Sequence, residues 1–328
     1  MNTPLLSNGV GELSYSDAVP VPLLAYQVKE AIPLAASGDF GDFLFQEIPT
    51  PEAVVWYNNY LLIQSGHFKN TGRYPKLELQ FCMNNSFNYH GEGIGKRNLR
   101  DGSFNMVYVP VVNSEIVLRP GRIYTTLDIY LTPIVIQRLE LLYPVLETFL
   151  GQISRGEAVT LCPINQLMTI SMHDIIDNIL DNVHTDGRYT LYVATKVNEL
   201  LLTILDRVTH HPKLTEVYFR EEELQLIYEA KDLLLANLDK PMTLALLSKA
   251  VGLNKNKLKS GFLQLYDCTV TSFRLHARMK EAKFLLRTTK DSIERIAFDT
   301  GYANAQHFSK VYQVYYGNTP ARYRKDME

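Results

Sequence analysis

Cysteine is scarce. The 328 residues hold three, Cys82, Cys162 and Cys268, far apart and with no CxxC pair. An odd, scattered set excludes a disulfide framework and offers no zinc-ligand spacing. Such usage suits a reducing cytoplasm. Long apolar runs are missing too: no stretch approaches the roughly 18 residues of a membrane span, so no membrane partner is expected. The first basic residue is Lys29, so the start lacks the basic n-region of a secretory signal. Common catalytic motifs are also absent, with no GxSxG, HExxH, GxGxxG or P-loop. Gly91-Glu92-Gly93-Ile94-Gly95 lacks a following Lys-Ser/Thr and reads as a turn. His67 and His90 stand alone, and the adjacent His210-His211 cannot both face one centre on a regular element. No metal site, cofactor or catalytic residue is therefore expected, and a metal-dependent cupin-like enzyme is the remotest reading.

What is present is ordinary globular material, 46% hydrophobic and 21% charged, enough at about 150 residues per domain for two domains. The formal net charge of −2 hides an asymmetry. Residues 1–239 carry 17 Lys/Arg and 28 Asp/Glu, a net of −11, whereas residues 240–328 carry 16 and 7, a net of +9. A basic module on an acidic body points to a polyanionic partner.

Organisation changes along the chain. Residues 1–37, with Pro4, Pro20, Pro22 and Pro33, read as a loosely structured leader. Residues 38–131 break into short runs at strand spacing: Leu44–Ile48, Val54–Gln64, Leu77–Met83, Phe104–Val109, Glu115–Leu118 and Ile123–Leu131. Leu77, Leu79, Phe81 and Met83 alternate with Glu78, Gln80 and Cys82, the period of a half-buried strand, and the set suggests a small barrel or sandwich. From Thr132-Pro133 the period becomes helical through residue 208. Leu167, Ile170, Ile175, Ile179 and Val183 form one stripe; Ala194, Val197, Leu201, Ile204 and Val208 form another. Asp186-Gly187 turns the chain between them, making a helix hairpin. The stripes either pack on their own barrel or bury together as a dimer face. Residues 209–223 read as a linker.

Residues 224–328 are helical in pattern and repeat themselves. Leu247-Ser248, Gly252-Leu253, Leu258, Phe262, Tyr266-Asp267, Thr269-Val270 and Phe273 return as Ile296-Ala297, Gly301-Tyr302, Phe308, Tyr312, Tyr316-Gly317, Thr319-Pro320 and Tyr323. The offset is 49 residues through Leu253/Tyr302 and 50 from Leu258/Phe308 onward, so the second turn is one residue longer. Each copy, 243–267 and 292–317, reads as a short helix, a glycine turn and a second helix. That unit is a helix-turn-helix, whose second helix enters the DNA major groove. Residues 270–288 between the copies are also helical in character. A connecting helix of roughly 30 Å would match the DNA repeat of about 34 Å, setting two recognition helices in successive grooves.

These residues resemble the DNA-binding domain of the AraC/XylS family of bacterial transcriptional regulators. Gly301–Lys325 (GYANAQHFSKVYQVYYGNTPARYRK) is similar to that family's C-terminal signature, and Gly252–Phe262 to its first recognition helix. Arg278, Ala282, Leu285 and Leu286 fall on its linker-helix pattern. The wording NKLKSGFLQLY is similar to the siderophore-sensing branch. Asp267 departs from the usual glycine, and Gln313-Val314 from frequent basic residues.

The resemblance implies base contacts from Asn256, Lys259 and Ser260 in the first unit and from Gln306, Ser309 and Lys310 in the second. Asn and Gln pair with adenine, Lys donates to guanine and Ser reads either, so the chemistry agrees. Lys255, Lys257, Arg278, Lys280, Thr319, Arg322 and Arg324 are expected on the DNA backbone or holding the domain together. Phe262, Tyr302, Tyr312, Tyr316 and Tyr323 match the apolar stripe and read as core. The resemblance further implies that residues 38–208 bind a small-molecule effector and form a homodimer through helices within 166–208. Candidate pocket residues are Trp56, Glu78, Gln80, His90, Tyr108 and Tyr124, with strand register open. The expected fold is α+β: an N-terminal cupin-like β-barrel or sandwich with a helix hairpin, then an all-α, homeodomain-like double helix-turn-helix. The expected function is sequence-specific transcription regulation on promoter DNA, with RNA polymerase a partner if the protein activates. A non-sensing architectural DNA binder is the alternative.

Overall fold

Strand-period sequence in the first half folds into two antiparallel sheets. The structure is a computed structural model and describes residues 6–7, 14–182, 184–210 and 219–327. In chain order the strands are β1 (Leu6–Ser7), β2 (Ser14–Ser16), β3 (Ile32–Gly38), β4 (Gly41–Pro49), β5 (Ala53–Leu62), β6 (Gly66–Gly72) and β7 (Lys76–Asn84). There follow β8 (Phe87–Gly91), β9 (Gly95–Leu99), β10 (Ser103–Val109), β11 (Val112–Leu118), β12 (Ile123–Leu131), β13 (Val159–Thr160) and β14 (Gln166–Leu167). The large sheet runs β13-β10-β7-β12-β5-β4-β3-β2, with β14 also on β10; the small one runs β1-β6-β11-β8-β9. Of the barrel and sandwich alternatives, the sandwich is what forms.

Helices cover the far face of the large sheet, so that sheet is buried on both sides. These are α1 (Pro133–Gln137), α2 (Val145–Ser154), α3 (Ile170–Leu180) and α4 (Asp186–His210). Strand β7 shows the consequence. Leu77, Leu79 and Phe81 join the core beneath the helices, whereas Cys82 joins the core between the sheets. Glu78 is only 7% exposed. The strand expected to be half-buried is thus covered on both faces, and its polar alternates line the space between the sheets. The hairpin stripes spend themselves on the same core: Ile175 and Ile179 of α3 and Val197, Leu201, Ile204 and Val208 of α4 pack with Leu79 and Ile129. Burial on their own sheet, not on a partner, accounts for them. Val183 lies outside the described residues.

The expected leader needs correction. Strands β2 and β3 extend the large sheet, and Leu23, Ala35 and Ala36 are buried. The prolines hide this pattern because Pro20 and Pro22 shape a 3-10 turn over Val21–Tyr26. Gln46 clasps that turn by donating to the Tyr26 carbonyl and accepting from the Val28 N–H. Residues 1–5 and 8–13 of the leader, and 211–218 of the expected linker, lie outside the described residues.

The chain divides into two compact units, Met1–Pro212 and Lys213–Glu328. The second is all helix: α5 (Glu221–Leu235), α6 (Leu244–Val251), α7 (Lys255–Tyr266), α8 (Val270–Thr288), α9 (Ile293–Asp299), α10 (Ala305–Tyr316) and α11 (Pro320–Met327). Helix α8 packs against α5 and α7 on one side and α9 and α11 on the other. Among the described residues, no helix is long and apolar enough to cross a membrane.

Candidate nucleic-acid interface

Helix punctuation in the second unit is written in side-chain caps. Thr243, Asn254, Thr269, Ser292, Asn304 and Thr319 accept backbone N–H bonds from Leu246, Asn256, Ser272, Arg295, His307 and Arg322. Each satisfies a donor that the first helical turn leaves unpaired. Helix α6 ends at Gly252 in the left-handed region, φ 71°, and α7 starts two residues later at the Asn254 cap. The second turn passes through Thr300 and Gly301, φ 82°, to Asn304. That is where the extra residue is accommodated.

Helix α7 buries Leu258, Gly261, Phe262, Leu265 and Tyr266, which leaves Asn256, Lys259, Ser260 and Leu263 exposed. Those four follow i, i+3, i+4, i+7 spacing, one face of a helix. Helix α10 buries Phe308 and Tyr312 and leaves Gln306, Lys310 and Gln313 exposed, with Ser309 half-exposed between them. An offset of 50 residues maps one stripe onto the other position by position. All six sequence-predicted base-facing residues therefore lie on the outward stripes of two second helices. Sequence reasoning missed Leu263 and Gln313, which the stripe rule finds once the buried set is known. His307 is also exposed, its ring 5.6 Å from Tyr302. The repeat aromatics Phe262, Tyr302, Tyr312 and Tyr323 are buried, and Tyr316 packs on Tyr312.

The expected backbone contacts divide. Lys255 and Arg322 are exposed at the starts of α7 and α11. Lys257 is ion-paired with Glu223 of α5, which holds that carboxyl below its usual range. Arg278 donates to the Leu238 carbonyl at 2.9 Å and lies 5.4 Å from the Tyr302 ring. Burial, with Arg274 adding, pulls its guanidinium below the ordinary value. Gly301 belongs to this clamp, because a Cβ there would collide with Arg278 and with the Leu238 carbonyl. As placed, Arg278 holds the second turn against α8, the second of the two roles expected of it. Arg324 is half-buried and donates to the Leu286 carbonyl at 3.4 Å, also a bond within the domain. Lys280 is half-buried, and Thr319 is engaged as a cap.

A second site lies between the sheets of the first unit, a cavity of about 110 Å3. Trp56, Glu78 and Gln80 line it as expected. Three other candidates do not. His90 points to solvent because Phe87 and Tyr89 take the inward positions of β8. Tyr108 lies under the helices, and Tyr124 is packed in the core with its hydroxyl accepting from the Arg119 N–H. Sequence reasoning missed Lys76, Asn58, Thr126, Asp128 and Tyr130 on the wall. Lys76 and Glu78 pair at 2.7 Å with side chains 13% and 9% exposed. Asp128 Oδ2 accepts from Asn58 and Thr126 at 2.8 and 3.1 Å. Among the described residues no group of three His, Cys, Asp or Glu is placed to hold a metal ion.

Comparison with known proteins places the paired unit. A family profile described as a helix-turn-helix domain matches residues 247–326. Regulatory protein SoxS of Escherichia coli (strain K12) is 32% identical over 88 residues, 27% of this chain and 82% of that protein. The HTH-type transcriptional regulator GbdR of Pseudomonas aeruginosa is 30% identical over 112 residues, 34% of this chain and 27% of that one. A solved transcriptional regulator with an AraC-type DNA-binding domain, from Chromobacterium violaceum, is 26% identical. It covers 33% of this chain and 96% of its own, with a TM-score of 0.31. The chain spans less than a third of the length of the first curated relatives it matches. Two capped helix-turn-helix units in tandem, matched over most of a whole relative, make the chain a member of the AraC/XylS family of DNA-binding transcriptional regulators.

Proposed function

We propose that the protein reads a promoter site of two short, different boxes about one helical turn apart, controlled by a small molecule bound in the cavity between the sheets. One observation carries the DNA half: matching outward stripes on α7 and α10 that differ in chemistry, Asn256-Lys259-Ser260 against Gln306-Ser309-Lys310. Asn and Gln suit adenine and Lys suits guanine, so the two helices prefer different sequences. Helix α8, at 19 residues, is about 28 Å long, close to one turn of DNA. Unlike stripes favour specific reading over an architectural role. Lys255 and Arg322 supply phosphate contacts, which set affinity and salt dependence.

The sensing half rests on the cavity. Occupancy shifts the population between arrangements of the DNA-binding units that can and cannot engage both boxes. Self-association uses the outer face of α4, where Leu191 and Leu202 are 68% and 42% exposed. The protein works in the cytoplasm and touches RNA polymerase where it activates. Methylation interference on the bound site is the test. Two clusters of interfering purines about one turn apart are expected, and Lys259→Ala should abolish the guanine signal in one cluster only. A single cluster, or uniform interference, would contradict the two-box reading.

A further inference from the structure

The cavity has an unusual charge balance for a buried space. Lys76 is ion-paired with Glu78 and also acts on Asp128, so two carboxylates share one ammonium and the wall keeps one excess negative charge when both are ionised. Strand register sets Asp128 opposite Gln80 on β7 and opposite Trp56 on β5, so its charge lies beside the only tryptophan of the chain. Asp128 Oδ1 is shielded from solvent and makes no hydrogen bond among the described residues. Asn70, across the cavity on β6, carries a second such oxygen. Both unsatisfied atoms are acceptors, and leaving them so costs the desolvation of each. Seven of the 22 wall residues are aromatic, Trp56, Tyr89 and Tyr130 among them.

We infer that the cavity binds a small organic cation bearing a protonated primary amine or amidinium, with Asp128 as its counter-ion. This rests on the reading of the cavity as the effector site and names the chemistry of what it takes. An ammonium supplies what the wall lacks: one positive charge and several N–H donors. The aromatic faces favour the same group, because a desolvated cation is attracted to a ring face. At about 10–15 Å3 per water-sized unit, 110 Å3 suits a ligand of about ten heavy atoms.

Protonation follows the same logic. Burial, with the Glu78 charge adding, pushes the Asp128 carboxyl up to about 7. The other groups facing it are Lys76, Glu78, Tyr60, Tyr89 and Tyr130, with Arg97 behind Tyr89. Burial also raises Tyr60, Tyr89 and Tyr130, so none of these ionises near neutral pH. Burial pulls Lys76 down, but Glu78, Tyr130 and Asp128 together more than offset it and the ammonium stays charged. A bound cation favours ionised Asp128 and drives its proton into solvent. Amine affinity therefore falls as pH drops below about 7, by up to about tenfold per unit.

The test uses the full chain, with Trp56 emission as readout and three probes of similar size: butylamine, butan-1-ol and butyrate. Butylamine, a single cation at these pH values, should shift the emission saturably at pH 8, more weakly at pH 6, and at least about tenfold more tightly than either other probe. Asp128→Asn should lose that preference while its far-UV spectrum and melting midpoint stay close to wild type. The reverse charge change, Lys76→Met, should not weaken butylamine binding. Tighter binding of butan-1-ol or butyrate, or butylamine binding unchanged in Asp128→Asn, would overturn the cation assignment and leave the cavity as the effector site. No emission change with any probe at millimolar concentration would overturn the site as well.

Discussion

Asp267 ends α7 with φ 55°, the left-handed conformation that Gly317 adopts, φ 78°, at the end of α10. The sequence departure from glycine thus leaves the turn unchanged, because Asp is among the few L-residues that reach this region at modest cost. Asp267→Gly should stabilise the unit by roughly 0.5–1 kcal/mol in denaturant unfolding; a loss of stability would mean that the carboxylate has a role the geometry does not show. Gly261 is under a different constraint. A Cβ there would sit 2.4 Å from Ile227 Cδ1, where α7 crosses α5. Gly261→Ala should cost about 1–3 kcal/mol by overpacking, and a neutral result would show that the crossing has slack. Residue identities in the DNA stripes were legible only through the family resemblance, which carries them over by position; the buried faces of α7 and α10 leave those positions outward. The cavity residues were only partly legible. Glu78, Gln80 and Trp56 follow from strand alternation, whereas His90 and Tyr108 are one register step from the wall, and a period of two gives no sign of which face is which.

Elements differ in how much of themselves they show in sequence. Strands β4, β5, β7, β10 and β12 appear as apolar runs because the large sheet is buried on both faces, and β11 of the small sheet shows only its short run at residues 116–118. Strands β6, β8 and β9, carrying His67, Asn88 and Lys96 outward, do not. Helix α8 has no single apolar stripe because it is buried from two sides by the two helix-turn-helix units: Met279, Ala282 and Leu286 serve the second core, while Val270 and Ala277 are also buried. Its one buried imidazole sets a pH response. His276 is 5% exposed and its Nδ1 lies 2.6 Å from the Tyr315 hydroxyl. Burial, with Lys280 adding, pulls its pKa down to about 3. The unfolded chain, at about 6.5, takes the proton more readily. Its contribution to stability is therefore complete above about 6.5 and lost as pH falls toward 3. Between pH 6.5 and 5 the unit should lose about 2 kcal/mol through this group, and His276→Gln should remove that part of the slope in thermal unfolding. An unchanged slope in the variant would place the acid sensitivity elsewhere.

Across the whole molecule, charge separates into an acidic N-terminal unit and a basic DNA-binding unit. Binding to DNA should fall steeply with salt as Lys and Arg release phosphate counterions. Lys255→Ala should lower the salt slope by about one and weaken all sequences alike; Lys259→Ala should cost roughly 1–3 kcal/mol on the specific site and relax preference at one position. Equal loss on every sequence for Lys259→Ala would move it to the phosphate class. The central claim is that α7 and α10 read different boxes on one face of the duplex. Selection of the full chain against a random duplex library at near-physiological salt tests it most directly. Two unlike short boxes, centred about one helical turn apart, should be enriched. Enrichment of a single box, of two identical boxes, or of no sequence despite tight binding would contradict it.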